Sequence, residues 1–114
     1  MPYLSITTNV TLPSEGESAL VTELSKIVAG ELKKPQAYIM VSFQSAKVLQ
    51  FAGSETPAAF LDLKSIGLPP DLNGLAWALT DGLSRHAGIA SSRVFITFAD
   101  MPPSRWAHDG GTFA

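Results

Sequence analysis

The sequence predicts an α/β (α+β) domain made of two tandem β-α-β units. Short alternating stretches rich in β-forming residues are followed by apolar residues at helical spacing, and the pattern occurs twice. The interval from Pro2 to Ala58 equals the interval from Tyr38 to Val94, as expected for a repeated unit. Because crossovers between parallel strands are right-handed, two such units give a four-stranded sheet with both helices on one face. We therefore expect one domain over residues 1–114.

The first unit begins with the alternating segment Tyr3–Thr8, which predicts a strand. Ser14 and Glu17 have the spacing of a capping box, which predicts a helix that starts with Ser14 as its cap. The apolar residues of this helix recur at helical spacing: Leu20, Leu24, Ile27, Val28 and Leu32. Pro35 prevents its continuation, and residues 38–43 predict a second strand, apolar enough for the centre of the sheet.

The second unit repeats this order. Residues 58–65 predict a strand, Asp71 or Asn73 can cap the next helix, and Gly88 is placed to end it. Residues 94–98 predict the last long strand. We interpret residues 100–114 as a loop, in which the large side chains of Trp106 and Phe113 pack on a neighbour or line a pocket.

Composition excludes several classes of function. Net charge is −2, without a block of like charges, which argues against nucleic acid and membrane partners. The absence of cysteine excludes disulfides and thiolate metal sites, and the two histidines are interpreted as surface residues. No secretory signal is recognisable, so we expect a cytoplasmic protein. Only 16% of residues are charged, and one face of the predicted sheet is bare, so we expect another subunit to cover it.

The candidate for chemistry is Pro2, because no familiar catalytic motif occurs in the chain. Removal of Met1 would leave Pro2 with a free secondary amine that can act as a base. The alternative is that proline is simply a small second residue that permits Met1 removal. Lys34 lies where the first helix gives way to the second strand, which places it near Pro2. A nearby cation and apolar surroundings would lower the pKa of the amine toward ambient pH, where a base is most useful.

Several segments resemble the macrophage migration inhibitory factor family of the tautomerase superfamily. They are M-P-Y-L at the start, K-P-Q-A-Y-I from Lys34, F-A-G-S from Phe51, S-I-G from Ser65, R-V-F-I-T-F-A-D-M from Arg93 and the terminal T-F-A. The resemblance runs from end to end. It implies a homotrimer in which three sheets form a central barrel, with the helices outside and active sites between subunits. The implied activity is keto–enol tautomerisation of phenylpyruvate-like α-keto acids and dopachrome analogues, without cofactor or metal.

The resemblance also implies a role for individual residues. Pro2 would be the base, Lys34 would hold the substrate carboxylate, and the backbone N–H of Ile66 would donate a further hydrogen bond. Tyr38 and Trp106 would line the pocket from the same subunit. Phe95 and Thr97 would reach it from the neighbouring subunit.

The chain also departs from the family pattern. The animal cytokine has tyrosine in place of Phe95 and asparagine in place of Thr97, which puts substrate preference and turnover in question. Its C-x-x-C motif aligns with Ala58 and Leu61, so thiol oxidoreductase activity is not expected here. An insertion-like stretch at residues 68–71 alters the loop after Ile66.

Three functions remain open at this point. The leading interpretation is a tautomerase, which requires removal of Met1 because an amide nitrogen has no basic lone pair. The second is a cytokine-like signalling or interaction protein with vestigial activity, released without a leader and bound by an unknown receptor. The third is a trimeric scaffold with incidental activity.

Overall fold

The computed structural model describes all residues, 1–114. Its elements in chain order are β1 (Tyr3–Thr8), α1 (Ser14–Leu32), β2 (Met40–Ser45), β3 (Ala59–Ser65), α2 (Asn73–Ala87), β4 (Val94–Asp100), β5 (Ala107–His108) and β6 (Gly111–Thr112). Short 3₁₀ turns at Gln36–Tyr38, Ser91–Arg93 and Pro103–Arg105 precede β2, β4 and β5. Neither helix is both long enough and apolar enough to cross a bilayer.

The four long strands form one sheet in the order β2-β1-β3-β4. β1 is parallel to β2, β3 is parallel to β4, and the two halves join through the antiparallel pair β1–β3. The predicted tandem β-α-β architecture is therefore confirmed. The central position predicted for β2 is wrong: β1 pairs with both β2 and β3, so β2 is an edge strand of the sheet. Tyr38 lies in a 3₁₀ turn rather than at the start of β2.

The hydrophobic core lies between the helices and one face of the sheet. Strand β1 turns Leu4, Ile6 and Thr8 to this side, where all three are fully buried. The opposite face of the sheet remains open and carries large apolar side chains, since Met40 is 67% exposed and Phe95 is 51% exposed. Burial of this face would release further hydrophobic free energy.

Helix α1 begins without the capping box that the sequence predicts. The N–H of Glu17 donates to the carbonyl of Pro13 at 2.9 Å, so Pro13 occupies the cap position and Ser14 is already helical. The predicted capping box is therefore wrong, and no side chain caps this helix. At the other end, Lys33 adopts a left-handed conformation at φ 54° that stops the helix just before Lys34.

Helix α2 ends at the predicted residue, but neither Asp71 nor Asn73 holds the predicted cap position. The carboxylate of Asp71 accepts the backbone N–H of Asn73 at 3.0 Å, although Leu72 holds the cap position. Gly88 ends the helix at φ 67°, and its N–H donates to the carbonyl of Ser84. The two helices pack closely at Gly82, where a Cβ atom would lie 2.7 Å from a methyl carbon of Leu24.

The segment predicted as a C-terminal loop contains a small hairpin formed by β5 and β6. Asp109 and Gly110 form its turn with φ of 52° and 83°, and two consecutive positive φ angles suit a two-residue hairpin. The sequence contains the D-G pair that is typical of such a turn. The hairpin follows Trp106 and holds the C-terminal segment beside the start of β1.

Candidate active site

A cleft of about 550 Å³ opens at the end of the sheet where β1 and β2 begin. Its walls come from four parts of the chain: the first residues, the segment that enters and begins β2, the end of β3 at Lys64, and the C-terminal segment. Most of the lining is apolar or aromatic, including Tyr3, Tyr38, Met40, Met101 and Trp106. Such a cleft suits a small molecule with an aromatic or apolar body.

Pro2 forms part of this cleft and is held firmly. Its ring is fully buried, and its carbonyl accepts the N–H of Met40 at 3.0 Å, which ties it to the start of β2. Met1, which is bonded to the nitrogen of Pro2, also lines the cleft. Because Met1 itself lines the cleft, its removal would open the cleft toward the nitrogen of Pro2.

The electrostatic environment favours a neutral amine at this position. Burial, followed by the positive charge of Lys34, lowers the pKa of the amino group of Met1. This agrees with the prediction that Lys34 lies near the N-terminus. After removal of Met1, the same two influences would act on the amine of Pro2.

Lys34 and Ile66 contact each other, but neither is among the residues that line the cleft. The ammonium of Lys34 donates to the carbonyl of Ile66 at 2.7 Å. The N–H of Ile66 donates to no acceptor within the chain. The surrounding turn is fixed on both sides, since Asp100 accepts the N–H of Gly67 at 2.9 Å and Ser65 accepts the N–H of Met101 at 2.8 Å. Together these groups present one cation and one free N–H, a combination that suits a carboxylate.

Phe95 and Thr97 are not in this cleft. Phe95 pairs with Phe60, which in turn pairs with Thr7. Phe95 therefore lies beside the end of β1, whereas Pro2 precedes its start. It lines a separate hollow of about 160 Å³, where its ring meets that of Phe51 edge to face at 5.0 Å. Thr97 donates to the carboxylate of Asp62 at 3.0 Å. Within one chain, neither residue reaches Pro2.

The three basic residues that line the cleft are absent from the predicted site residues. Lys64 pairs with Tyr3 across β1 and β3, so strand alternation could have placed both side chains on the same face. Arg105 and His108 flank Trp106 and line the cleft with it, because the hairpin folds this segment back. His108 was interpreted as a plain surface residue; it is exposed, but it lines the cleft and its ring stacks with Phe113 at 6.3 Å.

Two β-α-β units that share one four-stranded sheet are the architecture expected of the tautomerase superfamily. The family model described as macrophage migration inhibitory factor matches residues 1–114. The chain therefore belongs to the macrophage migration inhibitory factor family.

Individual relatives agree with this assignment. The macrophage migration inhibitory factor homolog of Brugia malayi is 36% identical over 115 residues, which cover 99% of this chain and 99% of the relative. The homolog of Trichuris trichiura is 37% identical over 120 residues, with 99% of this chain and 100% of the relative covered.

Solved structures extend the agreement to three dimensions. Macrophage migration inhibitory factor of Toxoplasma gondii has a TM-score of 0.92 at 34% identity, covering 97% of this chain and 99% of that one. The macrophage migration inhibitory factor-like protein of Entamoeba histolytica has a TM-score of 0.93 at 28% identity, covering 98% of both chains.

Proposed function

We propose that the protein is a cofactor-free keto–enol tautomerase of phenylpyruvate-like α-keto acids, with dopachrome-like compounds as further substrates. The observation that carries the proposal is the position of Pro2, which lines an aromatic cleft beside the N-terminus, where burial and Lys34 lower the pKa of the terminal amine of Met1. Membership of the macrophage migration inhibitory factor family supports an isomerase of this kind. Removal of Met1 is required to free the amine of Pro2.

In the proposed reaction, Pro2 moves one proton and no redox change occurs. The neutral amine removes the enol O–H proton, the oxygen electrons form the carbonyl, and the carbon–carbon π electrons accept a proton at the adjacent carbon. That proton comes from the Pro2 ammonium, so the amine is regenerated. If burial and Lys34 act on the Pro2 amine as they act on the amino group of Met1, its pKa would be lowered, which would make the ammonium a better acid and favour the neutral amine.

Two groups of the chain would orient the α-keto acid. The ammonium of Lys34 would bind the carboxylate, exchanging its present bond to the carbonyl of Ile66 for a substrate oxygen. The N–H of Ile66 would donate a second bond to the same end of the substrate. Tyr38 and Trp106 would contact the apolar body of the substrate and displace water from the amine.

We further propose that the active protein is a homotrimer whose sites lie between subunits. The outer edges of β2 and β4 are unpaired within the chain, and the open sheet face carries Met40 and Phe95. Packing of neighbouring sheets against one another would cover these groups. Because Phe95 and Thr97 lie far from Pro2 in their own chain, they would complete the site of a neighbouring subunit.

The test is the Pro2→Gly variant, which keeps a free α-amine after Met1 removal but loses the proline ring. We expect ultraviolet assays with hydroxyphenylpyruvate to show a large loss of kcat, while light scattering shows an unchanged assembly. Equal turnover by the variant and the natural chain would show that Pro2 is not the base of the reaction.

A second candidate function is cytokine-like signalling, and the relatives named macrophage migration inhibitory factor from Xenopus tropicalis and Mus musculus favour it. Under this alternative, Pro2→Gly would abolish turnover and leave partner binding unchanged. A receptor-binding measurement on the same variant separates the two functions.

A further inference from the structure

The cleft carries positively charged side chains that have no role in the proposed reaction. Lys64 and Arg105 both line it, and none of the residues that line it carries a carboxylate. This contrasts with the whole chain, whose net charge is −2. The cleft therefore concentrates positive charge on a protein that is otherwise slightly acidic.

The two cations have no partner within the chain. Both salt bridges of the protein involve Arg85, on the helix side of the sheet, and no hydrogen bond from the side chain of Lys64 or Arg105 is present. Asp62 accepts a hydrogen bond from Thr97 and Asp100 accepts one from the N–H of Gly67, and neither carboxylate forms an ion pair with Lys64 or Arg105. Both cations are therefore available to an anionic ligand.

Lys64 is separate from the group that would hold the α-keto carboxylate. It lies on the open face of β3, opposite Tyr3, whereas Lys34 follows α1 and bonds to the carbonyl of Ile66 beyond the end of β3. Lys64 and Arg105 are both exposed, so their side chains can turn toward a ligand. Lys64 and Arg105 line the cleft itself, whereas Lys34 and Ile66 lie outside its lining.

We infer that Lys64 and Arg105 form a second anion subsite, which makes the preferred substrate an α-keto acid with a second carboxylate on its side chain. This inference rests on the proposed tautomerase function and adds a substrate class to it. The proton transfer at Pro2 is the same for a monoacid and a diacid, so the subsite acts on affinity and hence on KM.

The test uses two substrates of matched shape, para-carboxyphenylpyruvate and para-methylphenylpyruvate, which differ in charge at one position. We expect the natural chain to show a lower KM for the carboxylate compound, by roughly five- to tenfold at low salt, the scale of one or two partly exposed charge contacts. The preference should shrink as salt is added, because ions screen exposed charges.

Variants assign the preference to its residues. Lys64→Met should raise KM for the carboxylate compound alone, with kcat unchanged, whereas Lys64→Arg should retain the preference. Arg105→Gln should reduce it in the same way. Light scattering on each variant checks that assembly is intact, and Lys47→Met, at a site outside the cleft, serves as the matched surface control.

The outcomes separate this inference from the proposed function. If the natural chain turns over both compounds with equal KM, or if Lys64→Met changes both equally, there is no second anion subsite. If neither compound is turned over, the proposed function fails, and calorimetric titration with both compounds then decides the inference alone. Tighter binding of the carboxylate compound that depends on Lys64 would support the subsite, and equal binding would overturn it.

Discussion

Replacement of Lys34 by methionine tests the electrostatic part of the site, because it removes the charge and keeps most of the side-chain volume. In the free protein, the change deletes the 2.7 Å bond to the carbonyl of Ile66. In the complex, it deletes the proposed contact with the substrate carboxylate. A hydrogen bond to a charged group contributes about 1.5–3 kcal/mol, and because Lys34 is only half-buried the lower figure applies, so we expect roughly a tenfold rise in KM.

The same substitution should shift the pH profile in a defined direction. Burial and Lys34 both lower the pKa of the terminal amine, so a neutral base persists to lower pH than it would in water. Loss of the lysine charge leaves only the effect of burial, so the pKa of the Pro2 amine should rise. The acid limb of kcat/KM should therefore move to higher pH in Lys34→Met.

The assay is initial-rate ultraviolet kinetics with hydroxyphenylpyruvate across the pH range, beside Lys34→Arg as a charge-retaining control. The arginine variant should keep the acid limb near its natural position. An unchanged KM in Lys34→Met, or an acid limb that moves to lower pH, would refute the role given to Lys34. Thermal unfolding of all three proteins excludes a general loss of structure.

Three further predictions concern packing, pH and the pocket. Gly82→Ala should destabilise the fold by about 1–3 kcal/mol, because its Cβ would lie 2.7 Å from Leu24, whereas Gly30→Ala, with nothing within 4 Å, should be neutral or stabilising in urea unfolding. Arg85 lowers the pKa of Glu23, so the stability that this pair contributes should be present at neutral pH and should be lost as pH falls through that pKa. If Glu23→Gln lowers the unfolding midpoint equally at neutral and acid pH, this linkage is wrong. Trp106→Ala should weaken binding of aromatic α-keto acids, because the indole lines the cleft. An unchanged KM for phenylpyruvate would show that Trp106 does not contact the substrate.

The sequence was sufficient to predict the order and type of the main elements. Strong alternation set β1 correctly at Tyr3–Thr8, and helical spacing located both helices. Positions at element ends were less accurate, because Pro13 took the cap position expected of Ser14 and Tyr38 entered a turn. Such ends depend on backbone geometry that one or two side chains do not determine.

The candidate site was predicted in part. The proximity of Lys34 to the N-terminus followed from the common end of two parallel strands, whereas the roles of Lys34 and Ile66 toward a substrate stay a prediction. Lys64 and Arg105 were missed for different physical reasons. Placing Lys64 in the cleft requires the register of β1 against β3. Placing Arg105 there requires the fold of a short hairpin, which hydrophobic periodicity does not reveal.

The most direct measurement compares two forms of one preparation, with Met1 attached and with Met1 removed by a methionine aminopeptidase, each verified by intact mass spectrometry. Hydroxyphenylpyruvate tautomerisation is then followed in both. We predict turnover only in the form that begins with Pro2, because only there does the buried nitrogen at the cleft carry a basic lone pair. Equal turnover in the two forms, or none in the form that begins with Pro2, would contradict the proposed role of the Pro2 amine.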